Sequence, residues 1–255
     1  MIPKIQASSL LKELGVKDLR GMDLEGIARF KDIYYQEMPM SGAQGRIIFT
    51  EKSAKITINT SITNIRQKRF VIAHELGHFS LHRNVKGMFN CDEKSFYDYH
   101  SKGGQEVEAN EFAAELLMPS NLFKIKSQKL DFGIPVIQEM SEYFESSITA
   151  TSIRYVEYGP KPIAMVFSQD SKVKWTKFSN NFPLKFINIK LAVPSTSVAA
   201  FYFNNYYVPE KPTLINAFDW FYNDFNIDKF NKVKIYEQCW PIKSLNAVIS
   251  YLWFK

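Results

Sequence analysis

Apolar residues recur at helical spacing from Leu10 to Phe30, through Leu11, Leu14, Leu19, Leu24, Ile27 and Ala28. Interruptions near Gly15 and Gly21 predict two short helices over residues 7–32. The pattern then changes to β-branched and aromatic runs at Ile33-Tyr34-Tyr35, Arg46–Thr50 and Lys55–Asn59, and the last two read as a hairpin. Arg69–His82 returns to helical periodicity, with Phe70, Val71, Ala73, Leu76, Gly77 and Leu81 as an apolar stripe, so this helix is expected to be buried. Glycine costs about 1 kcal/mol against alanine inside a helix, so Gly77 implies a second element passing close by. Residues 83–104 are polar, glycine-rich and aromatic, and read as a long functional loop over a cleft. A helix over Gln105–Pro119 follows, then one over Asn121–Lys129 capped by Ser120, and two more over Val136–Phe144 and Thr149–Tyr158.

Gly159-Pro160-Lys161-Pro162 is the clearest punctuation in the chain and sets the expected domain boundary, with domains at 1–159 and 160–255. Beyond it, short β-like runs at 163–167, 173–177, 197–201, 232–236 and 247–252 and one helix over 214–225 predict a small mixed α/β module. The fold class is therefore α+β: a mainly helical first domain with a small sheet, then a second α/β domain.

The 45% hydrophobic and 23% charged content is that of a globular protein. No run of 18 apolar residues occurs and Met1–Gln6 lacks the apolar core of a signal peptide, so a cytoplasmic protein with no membrane partner is expected. Cys91 and Cys239 give no disulfide framework. The net charge of +6 is confined to residues 161–255, which hold 12 lysines, no arginine and 6 acidic residues. An acidic partner would bind there. Lysines interleaved with aromatics, at Lys172, Lys174, Trp175 and Lys177 and in the run Tyr202–Tyr207, are a pattern suited to single-stranded nucleic acid or another signal. Helices 136–144 and 149–158 resemble a helix-turn-helix in spacing, yet the second carries only Arg154 as a basic residue, too few donors for a recognition helix.

His74-Glu75-Leu76-Gly77-His78 is the stretch with the clearest chemistry. Residues four apart on a helix lie one turn above each other, so both imidazoles can address one Zn²⁺ while Glu75 serves as general base. A catalytic zinc needs a third protein ligand and an open position. The HExxHxxGxxH solution fails, because Leu81 and Asn84 stand where Gly and His are required. A carboxylate on the next helix is the alternative. Glu106 shares a face with Asn110, which could accept from the far nitrogen of a ligand histidine, and Glu108 is the reserve candidate. His82 is rotated away and is expected to brace the helix end. Tyr97, Tyr99 and His100 are candidate transition-state donors. Cys91 is a candidate latent zinc ligand, a thiolate that could fill the open position.

HELGHFSLH followed by EVEANEFAAELLMP resembles the ImmA/IrrE family of zinc metallo-endopeptidases over roughly residues 20 to 158. The resemblance implies a zincin-like metallopeptidase domain with His74, His78 and Glu106 as ligands and Glu75 as base. It implies a protein substrate, typically a helix-turn-helix repressor encoded nearby, whose cleavage releases stress, defence or mobile-element genes. It leaves only about 20 residues ahead of the matching region, so no helix-turn-helix domain is expected there. Some members carry a sensor domain resembling GAF where residues 160–255 stand, which suggests a small-molecule or nucleic-acid activator. An edge strand of the small sheet is expected to hold the substrate by β-augmentation. The rival reading is a ligand- or nucleic-acid-binding regulator with a structural or vestigial zinc site.

Overall fold

The computed structural model describes residues 2–16, 18–50, 53–83, 88–91, 104–128, 131–230 and 232–255, with the backbone alone at Met88 and Asn90. The elements in the first half are α1 (Ile2–Glu13), α2 (Leu24–Phe30), β1 (Ile33–Met38), β2 (Gly45–Phe49), β3 (Ala54–Asn59), α3 (Ile65–His82), β4 (Met88–Cys91) and α4 (Gly104–Leu117). The second half contains α5 (Ser120–Ser127), α6 (Ile134–Tyr143), α7 (Ile148–Tyr158), β5 (Ala164–Gln169), β6 (Lys172–Phe178), α8 (Val198–Phe203), β7 (Thr213–Asn216), α9 (Ala217–Phe221), β8 (Lys234–Ile242) and β9 (Ala247–Phe254). The chain divides into two compact units, residues 1–122 with 141–147 and residues 123–140 with 148–255. That division falls before Gly159. Among the described residues, no helix is long and apolar enough to cross a membrane.

In the first unit the sheet order is β1-β3-β2-β4. β2 and β3 form the expected antiparallel hairpin, while β1 runs parallel to β3. Ile47, Ile56 and Ile58 fill its buried face. Two features depart from the sequence expectation. Part of the segment read as loop forms β4, and β4 pairs antiparallel with the outer edge of β2, so that edge is occupied. Four residues bounded by polar sequence are too short to show a strand period, which is why the pattern missed it.

Asn64 opens α3, its side chain accepting from Arg66 N at 3.0 Å and Gln67 N at 3.3 Å. Residues Val71–His78 of this helix are buried without a break. α4 crosses it at Gly77, where a β-carbon would stand 3.0 Å from Ala109 O and 3.2 Å from Phe112 Cβ. Only a side-chain-free position lets the two backbones approach this closely.

In the second unit five strands in the order β6-β5-β9-β8-β7 pair antiparallel throughout, over a core that includes Phe182, Trp220, Phe221 and Leu252. The run expected as a strand at 197–201 is instead α8. Ser197 caps it by accepting from Ala200 N at 3.2 Å, and the fully buried Glu237 carboxylate accepts from Val198 N at 2.8 Å and Ala199 N at 3.2 Å. Those acceptors satisfy amides that a strand would have spent on a neighbour. The expected helix over 214–225 shortens to α9, because Leu214 and Ile215 pair with β8 as β7.

Candidate metal centre

α3 carries His74, Glu75 and His78, all fully buried, and α4 lays Glu106 and Asn110 against them. β4 brings Cys91 in from the sheet. His74 Nε2 and His78 Nε2 stand 2.9 Å apart. Cys91 Sγ is 3.1 Å from the first and 3.6 Å from the second. Glu106 reaches His74 Nε2 with Oε2 and His78 Nε2 with Oε1, each at 3.4 Å. One ligand atom from each of the four lies within 4.8 Å of every other.

The far nitrogens fix the tautomers. Asn110 Oδ1 can only accept, so His74 Nδ1, 2.8 Å away, donates to it. The Glu108 carboxylate accepts from His82 Nε2 at 2.9 Å, which leaves His82 Nδ1 to accept from His78 Nδ1 at 3.0 Å. Both histidines therefore turn an Nε2 lone pair toward the same point. Two lone pairs facing each other across 2.9 Å repel unless a cation lies between them. A tetrahedral zinc with nitrogen or oxygen at about 2.0–2.1 Å and sulfur at about 2.3 Å needs ligand atoms roughly 3.3–3.6 Å apart, close to the separations found here. Two neutral imidazoles, a carboxylate and a thiol are a zinc donor set, so the residues present fit that ion.

Burial pushes the His78 imidazole down to about 4, against the pull of Glu106, which keeps it neutral and able to ligate. Burial alone would raise the Glu106 carboxyl, but the two imidazoles that face its oxygens at 3.4 Å outweigh that and hold it well below the usual range. Burial pushes Glu75 up to about 8; the Cys91 thiol beside it pulls the other way, and the Glu106 charge adds to the rise. Neither Glu75 oxygen has a hydrogen-bond partner among the described residues. Gly45 covers it. A methyl on Gly45 would lie 2.6 Å from Val71 Cγ1 and closer still to Glu75 Oε1.

Sequence reasoning named His74, Glu75, His78, Glu106, Asn110 and Cys91, and the structure brings these six together. It missed three further features: Glu108 as the anchor of the His82 relay, Gly45 as the floor over Glu75, and Phe89, whose ring stacks on His78 at 4.3 Å and 18°. The spacing of His78 and His82, four apart on one helix, was the available signal for the relay. Tyr97, Tyr99 and His100 lie outside the described residues.

The candidate signal contacts on β6 are not one uniform surface. Lys172 and Lys174 are exposed, and Lys174 is skipped in a register shift against β5. Trp175 stacks flat on Phe167 at 5.1 Å and 8°, so one face of its ring is already covered. Lys177 pairs with Glu157 at 2.7 Å. Tyr206 and Tyr207 are well exposed.

Residues 30–155 match a peptidase family model described as the IrrE N-terminal-like domain. An uncharacterized immunity region protein 2 of Bacillus phage phi105 is 38% identical over 71 residues, which is 28% of this chain; the chain spans 42% of the length of that relative. A Mycobacterium tuberculosis transcriptional regulator of solved structure superposes with a TM-score of 0.64 over 99% of this chain and 75% of that one, at 11% identity, a likeness of fold alone. Through residues 30–155, an IrrE N-terminal-like domain, the chain belongs to the ImmA/IrrE family.

Proposed function

We propose that this chain is a zinc-dependent endopeptidase that acts in the cytoplasm on one protein partner, a repressor of the helix-turn-helix class, and so releases the genes that partner holds off. The observation that carries the reading is Glu75: a fully buried carboxylate, neither oxygen of which is hydrogen-bonded among the described residues, one residue from His74 and beside the donor set. A buried unpaired carboxyl costs stability, and a site that only held a metal would have no use for it.

His74, His78 and Glu106 would hold the zinc, with Asn110 and the His82–Glu108 relay keeping both Nε2 atoms unprotonated. Bound there, zinc supplies Lewis acidity toward the scissile carbonyl and lowers the pKa of the attacking water. The chain supplies the rest. Glu75 takes the proton from that water and returns it to the leaving amine. An edge strand of the small sheet holds the substrate backbone as an added strand, which at the outer edge of β2 requires β4 to give way. The second unit, with its excess of lysine, is the regulatory half in this reading, answering a small molecule or single-stranded nucleic acid.

Cys91 favours the rival, a structural zinc, since four protein donors close a site. Glu75 weighs more, because the rival leaves it without a role. The test is incubation of the zinc-loaded chain with the repressor encoded beside it, followed by mass spectrometry of the partner. Wild type should yield discrete fragments and Glu75→Gln should yield none while keeping its metal. A partner left intact by both wild type and Cys91→Ala, or equal cleavage by Glu75→Gln, would overturn the proposal.

A further inference from the structure

Zinc-peptidase chemistry needs two things from this site: a free position at the metal, and a free strand edge for the substrate. β4 takes both. It pairs antiparallel along β2, with Gly45 opposite Cys91, Arg46 opposite Asn90, Ile47 opposite Phe89 and Ile48 opposite Met88. Gln44 N extends the ladder by donating to Cys91 O at 2.8 Å. The strand ends with Cys91 Sγ beside both Nε2 atoms, and Phe89 lies flat on His78. Cys91 is fully buried, and so is the Glu75 carboxylate beside it.

We propose that β4 is a built-in plug: it mimics a bound substrate strand on β2 and sets the Cys91 thiolate as the fourth donor at the metal, so the folded chain is latent until β4 leaves. This deepens the peptidase reading and rests on it. The thiol gives its proton to solvent when sulfur bonds the metal. When a substrate displaces it, the thiolate takes a proton back, so no oxidant or reductant is involved. Backbone bonds lost by β4 are replaced by those of an incoming strand, so the ladder itself discriminates little between them. What favours the plug is the sulfur bond and its tether, which presents β4 at an effective concentration on the order of millimolar. A substrate bound more weakly than that stays out unless the partner or a signal removes the strand. The plug also explains how a peptidase with general substrate chemistry would spare other proteins.

The test uses the full-length chain loaded with cobalt(II) in place of zinc. Wild type should show a thiolate-to-cobalt charge-transfer band in the near ultraviolet, and Cys91→Ala should bind cobalt without it. The other cysteine, Cys239, sits with Glu237 and Ser250 in the second sheet and is left intact in both proteins. A cobalt-loaded wild type lacking the band, or equal bands in the two proteins, would overturn the proposal, and the wild-type spectrum needs no variant to fold. Turnover gives the second readout: Cys91→Ala should cleave the partner about tenfold faster or more, as expected when the competent state is a minor fraction of the wild type. A rate no faster than wild type would also overturn it. The spectrum does not depend on cleavage, so failure of the plug is distinguishable from failure of the peptidase reading, which Glu75→Gln decides.

Discussion

Asn110→Ala separates the metal's own ligands from what holds them in place. Asn110 is 2% exposed, and its Oδ1 takes the His74 Nδ1 proton at 2.8 Å. Truncation removes that acceptor in a buried site, at a cost of about 1–3 kcal/mol. Alanine is the better helix former within α4 and returns roughly 0.6 kcal/mol. The metal-free protein should therefore lose between about 0.4 and 2.4 kcal/mol. The larger effect appears with metal bound. Ligation makes the Nδ1 proton more acidic and its hydrogen bond stronger, and without the acceptor the ring is free to rotate its Nε2 off the site. Loss of such partners weakens metal binding by about 10–100-fold. Competition for zinc against a chromophoric chelator near neutral pH measures this directly, with thermal melting of the metal-free protein as the control for folding. Asn110→Asp keeps the acceptor and should bind zinc at least as tightly as wild type. If Asn110→Ala binds zinc within about threefold of wild type while folded, the assignment of Nε2 as the ligand atom of His74 through this bond is wrong.

Gly45→Ala should cost about 1–3 kcal/mol of stability by overpacking, because its methyl would meet Val71 and Glu75. It should lower cleavage far more than zinc content; denaturant melts and metal analysis together check this, and a variant as active and stable as wild type would refute the close approach. Glu237 carries a pH signature in the second unit. Burial raises its pKa in the folded state above the unfolded value. Its contribution to stability is therefore fully present below the unfolded pKa of about 4.3 and is lost as pH rises through the folded value. Relative to wild type, Glu237→Gln should gain stability as the pH of a denaturation series is raised from acid toward neutral; parallel pH profiles would contradict the raised pKa.

The site was legible in the sequence where chemistry coincided with helical period. His74 and His78 are one turn apart on α3, and Glu106 and Asn110 one turn apart on α4, so two spacings of four placed four groups of the donor set and its support. Gly77 announced the crossing that brings those helices together. The closure by β4 was less legible. Cys91 stood out as chemistry, but its arrival depends on a four-residue strand pairing with β2, a non-local contact with no period to read. Ser197 shows the same limit in the second unit. Val198–Phe201 has the composition of a strand, and the helix there depends on a cap plus a carboxylate from Glu237, 39 positions further along the chain. The relay from Glu108 through His82 was readable only in part, since spacing gives the neighbour but not which nitrogen faces it.

Whether His74, His78 and Glu106 close on a single ion is decided by the metal content of the zinc-reconstituted, desalted chain, measured by mass spectrometry. Wild type should retain about one zinc per chain and His74→Ala should lose it under the same wash, because the two Nε2 atoms converge on one point. A wild-type chain that retains no zinc, or a His74→Ala chain that retains as much as wild type, would contradict it.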